Sequence, residues 1–263
     1  MSSSKKQRSL NKIALPGTVW LASDIHLGPQ APNTQNAFHA FLEQAARQAD
    51  ALVLCGDIFD AWVGDDMAID APPPWLAASI EKLRQTASAI PLWLGRGNRD
   101  FLIGPRLAQH LGAHLLPDAL CLQTDAGDIL LSHGDEYCID DAGYQRFRRI
   151  VRTPWVQRLY LSLSLARRTR IADCARRRSM ASNQRKATEI MDVAQRSIEQ
   201  AFRQTSLALM VHGHTHRPGK HLLQVDGRAC TRYVLPDWDY DHGQPARGGW
   251  MAIDRNGITL HRA

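Results

Sequence analysis

No C-x-x-C pair occurs among the five cysteines of this chain, Cys55, Cys121, Cys138, Cys174 and Cys230. Odd in number and widely spaced, they do not suggest zinc or redox chemistry, and a reducing compartment is the simplest reading. No apolar run approaches the ~20 residues that a bilayer-spanning helix requires. The opening MSSSKKQRSLNKIALPG is basic but lacks an apolar core and a small-residue cleavage site, so no secretory signal is expected. Residues 1–17 therefore read as a basic, disordered tail ahead of one cytoplasmic domain over 18–263. Internal repeats and low-complexity tracts are also missing.

What the chain has is enough apolar sequence, 44% over 263 residues, to bury a single sizeable core. Five short runs, TVWLAS, ALVLC, IPLWLG, DILLS and LALMV, have the length and composition of strands. Between the early ones, Phe38, Phe41, Leu42 and Ala45 share one helical face, and Leu76, Ile80 and Leu83 share another. Near the end, Asp226-Gly227 and Asn256-Gly257 are turn signals between β-branched runs and predict hairpins. The fold class is α/β: a sandwich of mixed sheets flanked by helices, partly parallel and continued by antiparallel strands.

The net charge of +6 directs the protein toward anionic partners, but the excess is local. Between Arg146 and Lys186 stand thirteen arginines or lysines and one acid, Asp173, leaving the rest of the chain at −6. The same stretch carries Trp155, Val156, Leu159, Tyr160, Leu163 and Leu165 in a helix-like pattern. An apolar face beside a cationic one is expected there, in a helical insertion over 140–187.

Each of the five strands ends in residues that can bind metal. They are Ser23-Asp24-Ile25-His26, Cys55-Gly56-Asp57, Gly97-Asn98-Arg99-Asp100, Ser132-His133-Gly134-Asp135 and His212-Gly213-His214-Thr215-His216. Singly, such residues are more often turn or cap residues. Five in succession at strand ends, where open α/β sheets form their crevice, exceed chance. Because strand residues two apart share a side, Asp24 and His26 are expected to reach one ion together. Oxygen and imidazole donors without thiolate suit Mn, Fe, Zn or Mg, and their number implies two ions. Two adjacent cations clamp a phosphate and stabilise the attacking and leaving oxygens, so phosphoryl transfer is the expected chemistry.

The series D-x-H, G-D, G-N, H-G and H-G-H-T-H, from about Val19 to His216, resembles the calcineurin-like metallophosphoesterases. More narrowly, SDIHLG, CGDIFDAWVGDD, GNRDFLIG, LSHGDEYCIDD, YQRFR and HGHTHRP are similar to the UDP-2,3-diacylglucosamine pyrophosphohydrolases of lipid A synthesis. The resemblance implies one ion held by Asp24, His26, Asp57 and His216 and another by Asp57, Asn98, His133 and His214. Asp57 would bridge them, and manganese is the expected metal, with other divalent ions possible. It implies substrate contacts from Asn98, Arg99, Asp141, Ser179, Asn183, Lys186 and His214, with Asp57, Asn98, Arg99 and His214 at the chemistry. The implied reaction is attack at the α-phosphorus of UDP-2,3-diacylglucosamine, yielding UMP and the diacylglucosamine 1-phosphate, lipid X. The insertion would be a lid taking the acyl chains, and the protein peripheral on the inner leaflet of the cytoplasmic membrane.

One position departs from the wider superfamily, which places His after the motif asparagine where this chain has Arg99. An arginine does not donate a proton at neutral pH, but its planar fork can hold a phosphate. Pyrophosphate cleavage tolerates the exchange because its leaving group needs no proton. The alternative is that Arg99 pairs with Asp100. Two other functions remain open: a metal phosphodiesterase acting on a soluble nucleotide or nucleic acid, and an inactive, metal-stabilised scaffold. Against nucleic acid, the basic stretch shows apolar faces rather than interleaved stacking aromatics, and no nucleic acid partner is expected.

Overall fold

The computed structural model describes residues 10–183 and 192–262. After β1 (Asn11–Ala14) come β2 (Val19–Ala22), α1 (Pro32–Gln48), β3 (Ala51–Leu54), the one-turn α2 (Asp66–Ile69), α3 (Pro74–Ala89) and β4 (Leu92–Leu94). Then follow α4 (Pro105–Leu111), β5 (His114–Leu115) and the hairpin of β6 (Ala119–Thr124) and β7 (Gly127–Ser132). Three helices are inserted next, α5 (Ala142–Val151), α6 (Pro154–Leu161) and α7 (Leu165–Asn183), before α8 (Gln195–Thr205) and β8 (Leu209–His212). The chain closes on β9 (Gly219–Val225), β10 (Arg228–Val234), β11 (Gly249–Asp254) and β12 (Gly257–Arg262).

Two six-stranded sheets result, in the orders β12-β11-β2-β3-β4-β5 and β1-β6-β7-β8-β10-β9. In the first, β2 to β5 are mutually parallel and β11 is antiparallel to β2; in the second, β7, β8 and β10 run parallel. Alternation along β2 explains the layering. Val19 and Leu21 join Val53, Leu120, Leu131, Val211 and Met251 between the sheets, whereas Trp20 and Ala22 face Phe38, Phe41 and Leu42 of α1. Leu130 and Met210, on the far side of the second sheet, pack under Ile198 and Phe202 of α8. With helices covering both outer faces, the architecture is α/β/β/α, and the parallel strands read as continuous apolar runs because neither face meets water.

Three details differ from the sequence expectations. Asn11–Ala14, expected within the tail, pairs in parallel with β6, where its backbone groups complete a sheet edge. The last turn falls at Arg255-Asn256, one residue early, because Gly257 (φ 126°) already opens β12 opposite Asp254. Tyr160, grouped with the apolar face of the insertion, packs against the helix-side core and donates its hydroxyl to Arg168 O at 2.8 Å. Its neighbours Trp155 and Leu159 remain 66% and 63% exposed, with Phe147, Ile150, Leu165 and Ile171 also at the surface. Among the described residues, no helix is long and apolar enough to cross a membrane.

The insertion is fastened to the body by Arg168, whose side chain is only 3% exposed. It donates to Val63 O (2.6 Å) and Leu163 O (3.1 Å) and pairs with Asp66 through both terminal nitrogens, while Arg176 pairs with Asp60. The Arg168 hydrogen bonds hold the Asp66 carboxyl below the usual range. A depressed folded-state pKa adds stability above the unfolded value, which is lost as pH falls through the folded one. Asp66→Asn should therefore cost about 3 kcal/mol at pH 7, leaving Arg168 buried and unpaired. In denaturant melts the gap from wild type should close below about pH 4; a gap that stays constant with pH would rule out the ion pair as its source.

Candidate metal centre

The five clusters predicted at strand ends do converge, at the carboxyl ends of β2, β3, β4, β7 and β8. They do so through bends rather than strand alternation. Asp24, His26, Asp57, His214 and His216 all have positive φ, between 51° and 68°, and only two other described non-glycine residues, Ser206 and Asp226, do. Left-handed backbone costs a non-glycine residue about 1 kcal/mol or more, and its concentration here marks a site whose donors are held against local preference. Asp24 and His26 thus share a pocket because the chain turns after β2 ends at Ala22.

Two donor groups share the buried carboxylates. In the first, Asp24 Oδ1 lies 3.4 Å from His216 Nε2 and 4.0 Å from His26 Nε2, and those two imidazole nitrogens are 3.3 Å apart. In the second, Asn98 Oδ1 lies 3.2 Å from His133 Nε2 and 2.8 Å from His214 Nδ1. Asp57 Oδ2 stands between them, 4.0 Å from His26 Nε2 and 3.7 Å from His133 Nε2. All seven metal ligands implied by the resemblance are therefore brought together.

Electrostatics fit divalent cations. Asp24 Oδ1 is buried and has no hydrogen-bond partner, a costly state for an anionic oxygen unless a cation faces it. Burial would raise the Asp24 carboxyl, but the His216 imidazole 3.4 Å away and the other nearby imidazoles hold it well below the usual range. Burial lowers His26 to about 3 and His214 to about 4, keeping their lone pairs available. Burial, with Asp100 and Asp24 adding repulsion, raises Asp57 to about 7. His133 is the opposite case: burial pushes it down, yet Asp57, Asp24, Asp135 and Asp100 outweigh that and carry it to about 9. The thiol of Cys55, whose carbonyl lies 3.2 Å from His133 Nδ1, is raised by burial and is not a thiolate donor.

The supporting shell explains how the loops stay in place. Gly56 lets a second loop come near, since a Cβ there would lie 2.6 Å from Gly97 N. Asp100 sits beneath both loops, accepting from Gly97 N (2.7 Å), Ile58 N (2.7 Å) and Asp57 N (3.1 Å). The sequence alternative of an Arg99–Asp100 pair is thus not what forms. Among the described residues Arg99 has no ion-pair partner, while its backbone N–H fixes Asp57 Oδ1 at 2.7 Å.

Residues to which the resemblance gives no ligand role stand behind the candidate ligands. Asp237 Oδ2 is 3.5 Å from His216 Nδ1 and accepts from Arg247 at 3.1 Å. Asp135 accepts from Tyr144 Oη (2.5 Å) and Arg148 Nε (2.7 Å), and Arg152 donates to Gly97 O (3.0 Å), tying α5 to the loops of His133 and Asn98. The YQRFR string was the only signal for this tie. Of the expected substrate contacts, Asp141 caps α5 by accepting Tyr144 N–H at 3.0 Å. Ser179 and Asn183 lie on α7, and Lys186 lies outside the described residues.

Two sheets whose strand ends deliver buried carboxylates, imidazoles and one amide oxygen define a metal-dependent hydrolase of the phosphoesterase type. The calcineurin-like phosphoesterase model matches residues 17–218, and the chain belongs to that family. Particular relatives are similar over nearly the whole chain. The UDP-2,3-diacylglucosamine hydrolase of Bordetella parapertussis is 57% identical over 249 residues, 95% of this chain and 96% of that protein. The proteins of the same name from Stenotrophomonas maltophilia and Pseudomonas paraeruginosa are 41% and 40% identical, covering 92% and 91% of this chain and 97% and 96% of their own lengths.

Proposed function

We propose that this protein hydrolyses UDP-2,3-diacylglucosamine to UMP and 2,3-diacylglucosamine 1-phosphate, with two Mn2+ ions as its working metals. The relatives' names support the substrate. The observation that carries the paired-metal reading is Asp57 Oδ2, one carboxylate oxygen within reach of both donor groups. Asp24, His26, Asp57 and His216 would hold one ion, and Asp57, Asn98, His133 and His214 the other. Such ions lower the pKa of water and neutralise phosphate charge. Arg99, free of ion pairs among the described residues and next to Asn98, would grip the pyrophosphate oxygens and offset charge on the leaving group. A sugar phosphate leaves as an anion, so no residue need protonate it.

The helical insertion would act as a lid, with Asp141, Ser179, Asn183 and Lys186 as its substrate contacts. Its exposed Phe147, Ile150, Trp155, Leu159 and Leu165 would meet acyl chains and the inner leaflet of the cytoplasmic membrane, with the surrounding arginines facing lipid phosphates. Each buried methylene contributes ~0.8 kcal/mol, and remote binding of that size also positions the reacting group. Trp155→Ser with Leu159→Ser should lower kcat/KM on the diacylated substrate about tenfold or more, sparing a small chromogenic phosphodiester and the melting temperature. Equal losses on both substrates would show that the pair does not contact acyl chains.

The test is an assay of purified protein with Mn2+ against UDP-2,3-diacylglucosamine, cyclic AMP and a DNA end, run in heavy-oxygen water. Only the first should turn over well, with label in UMP. Excess chelator should abolish the activity and Mn2+ should restore it. Label in the sugar phosphate would reverse the site of attack, and activity in a chelated, metal-free sample would remove the metals from the mechanism.

A further inference from the structure

His212 closes β8 with a fully buried ring, and its two ring nitrogens face opposite chemistries. Nδ1 lies 2.8 Å from Gly213 O, and Nε2 lies 3.1 Å from Arg232 Nη1, which reaches across from β10. A carbonyl only accepts and a guanidinium only donates, so the proton sits on Nδ1 and Nε2 is bare. Arg232 thereby selects the tautomer that can hold Gly213.

Gly213 is the node between the two ends of the second donor group. Its N–H donates to His133 O at 2.9 Å, its carbonyl also accepts from Thr215 N at 2.8 Å, and the next residue's N–H donates to Asp24 Oδ2 at 2.8 Å. A Cβ on Gly213 would lie 2.2 Å from that same Asp24 oxygen, so the backbone is pressed against the carboxylate. The His212 ring also fills the space beside Gly134, where a Cβ would come within 2.7 Å of Nδ1. One side chain is therefore wedged between the loop of His133 and the loop of His214.

We propose that His212 and Arg232 form a positioning pair that sets the spacing of His133 and His214, and so the affinity of the ion those two hold. The proposal rests on the ligand roles given above. Its physical basis is general: the groups that orient a ligand's backbone and ring are worth about 10–100-fold in metal affinity when removed.

Titration of metal-free protein with Mn2+ against a competing chelator tests it. Wild type should take up two equivalents. His212→Phe and Arg232→Met should each weaken one equivalent about 10–100-fold and leave the other unchanged. His212→Asn, whose amide N–H can reach Gly213 O from near the place of Nδ1, should recover most of the loss. Arg232→Gln, which keeps an N–H donor without the charge, should fall between. If His212→Phe does not fold, as judged by its melt in chelator, the Asn and Gln variants carry the same comparison. Two equivalents bound with wild-type affinity in the variants would overturn the pair, as would a parallel weakening of both equivalents that tracks lost stability. Fewer than two equivalents in wild type would instead overturn the ligand roles, and the pair with them.

Discussion

Asp57→Ala should lower kcat by at least about 10³-fold, roughly 4 kcal/mol of barrier, and more than His26→Ala does. His26 approaches one donor group only, whereas Asp57 Oδ2 approaches both, so its loss would undo both at once. The loss should not come from misfolding. In chelated protein Asp57 is a carboxyl that burial and two neighbouring carboxylates destabilise when ionised. Asp57→Asn keeps an oxygen for the Arg99 N–H and removes that charge, so its metal-free melting temperature near pH 8 should match or exceed wild type. Milder loss in Asp57→Ala than in His26→Ala would refute the bridging role.

Arg99→Lys should cost about 10²-fold in kcat/KM while leaving metal content intact, because an ammonium cannot reproduce a planar fork on two phosphate oxygens. The substitution separates phosphate recognition from loop structure. Arg99 contributes to the fold through its backbone N–H to Asp57 and its carbonyl to Trp62 N, which lysine retains. Wild-type turnover in Arg99→Lys would place the guanidinium outside the reaction. Loss accompanied by reduced metal content would move its role to the Asp57 loop.

Much of this molecule was legible in its residues, and for identifiable reasons. The five apolar runs became β2, β3, β4, β7 and β8 because the four-layer stack buries both faces of these strands, which keeps their centres apolar. Asp24, His26, Asp57, Asn98, His133, His214 and His216 stood out because metal chemistry restricts donors to a few residue types, and strand ends collect them. The apolar pattern around Trp155 and Leu159 was visible too, although the sequence could not say that Tyr160 turns inward while its neighbours stay exposed.

Local sequence therefore determined which residues are candidate ligands and which runs are strands, since both depend on the chemistry and periodicity of neighbours in the chain. Tertiary structure alone decided how the ligands meet. Asp100 and the Arg99 backbone N–H serve the Asp57 loop from some forty residues away, and Asp237 reaches His216 from beyond the end of β10. Arg232 sets a histidine twenty positions earlier. None of these contacts leaves a periodic or compositional trace. Each is one or a few hydrogen bonds or charge pairs between distant segments, and it exists only once the two sheets have brought their strand ends to the same place.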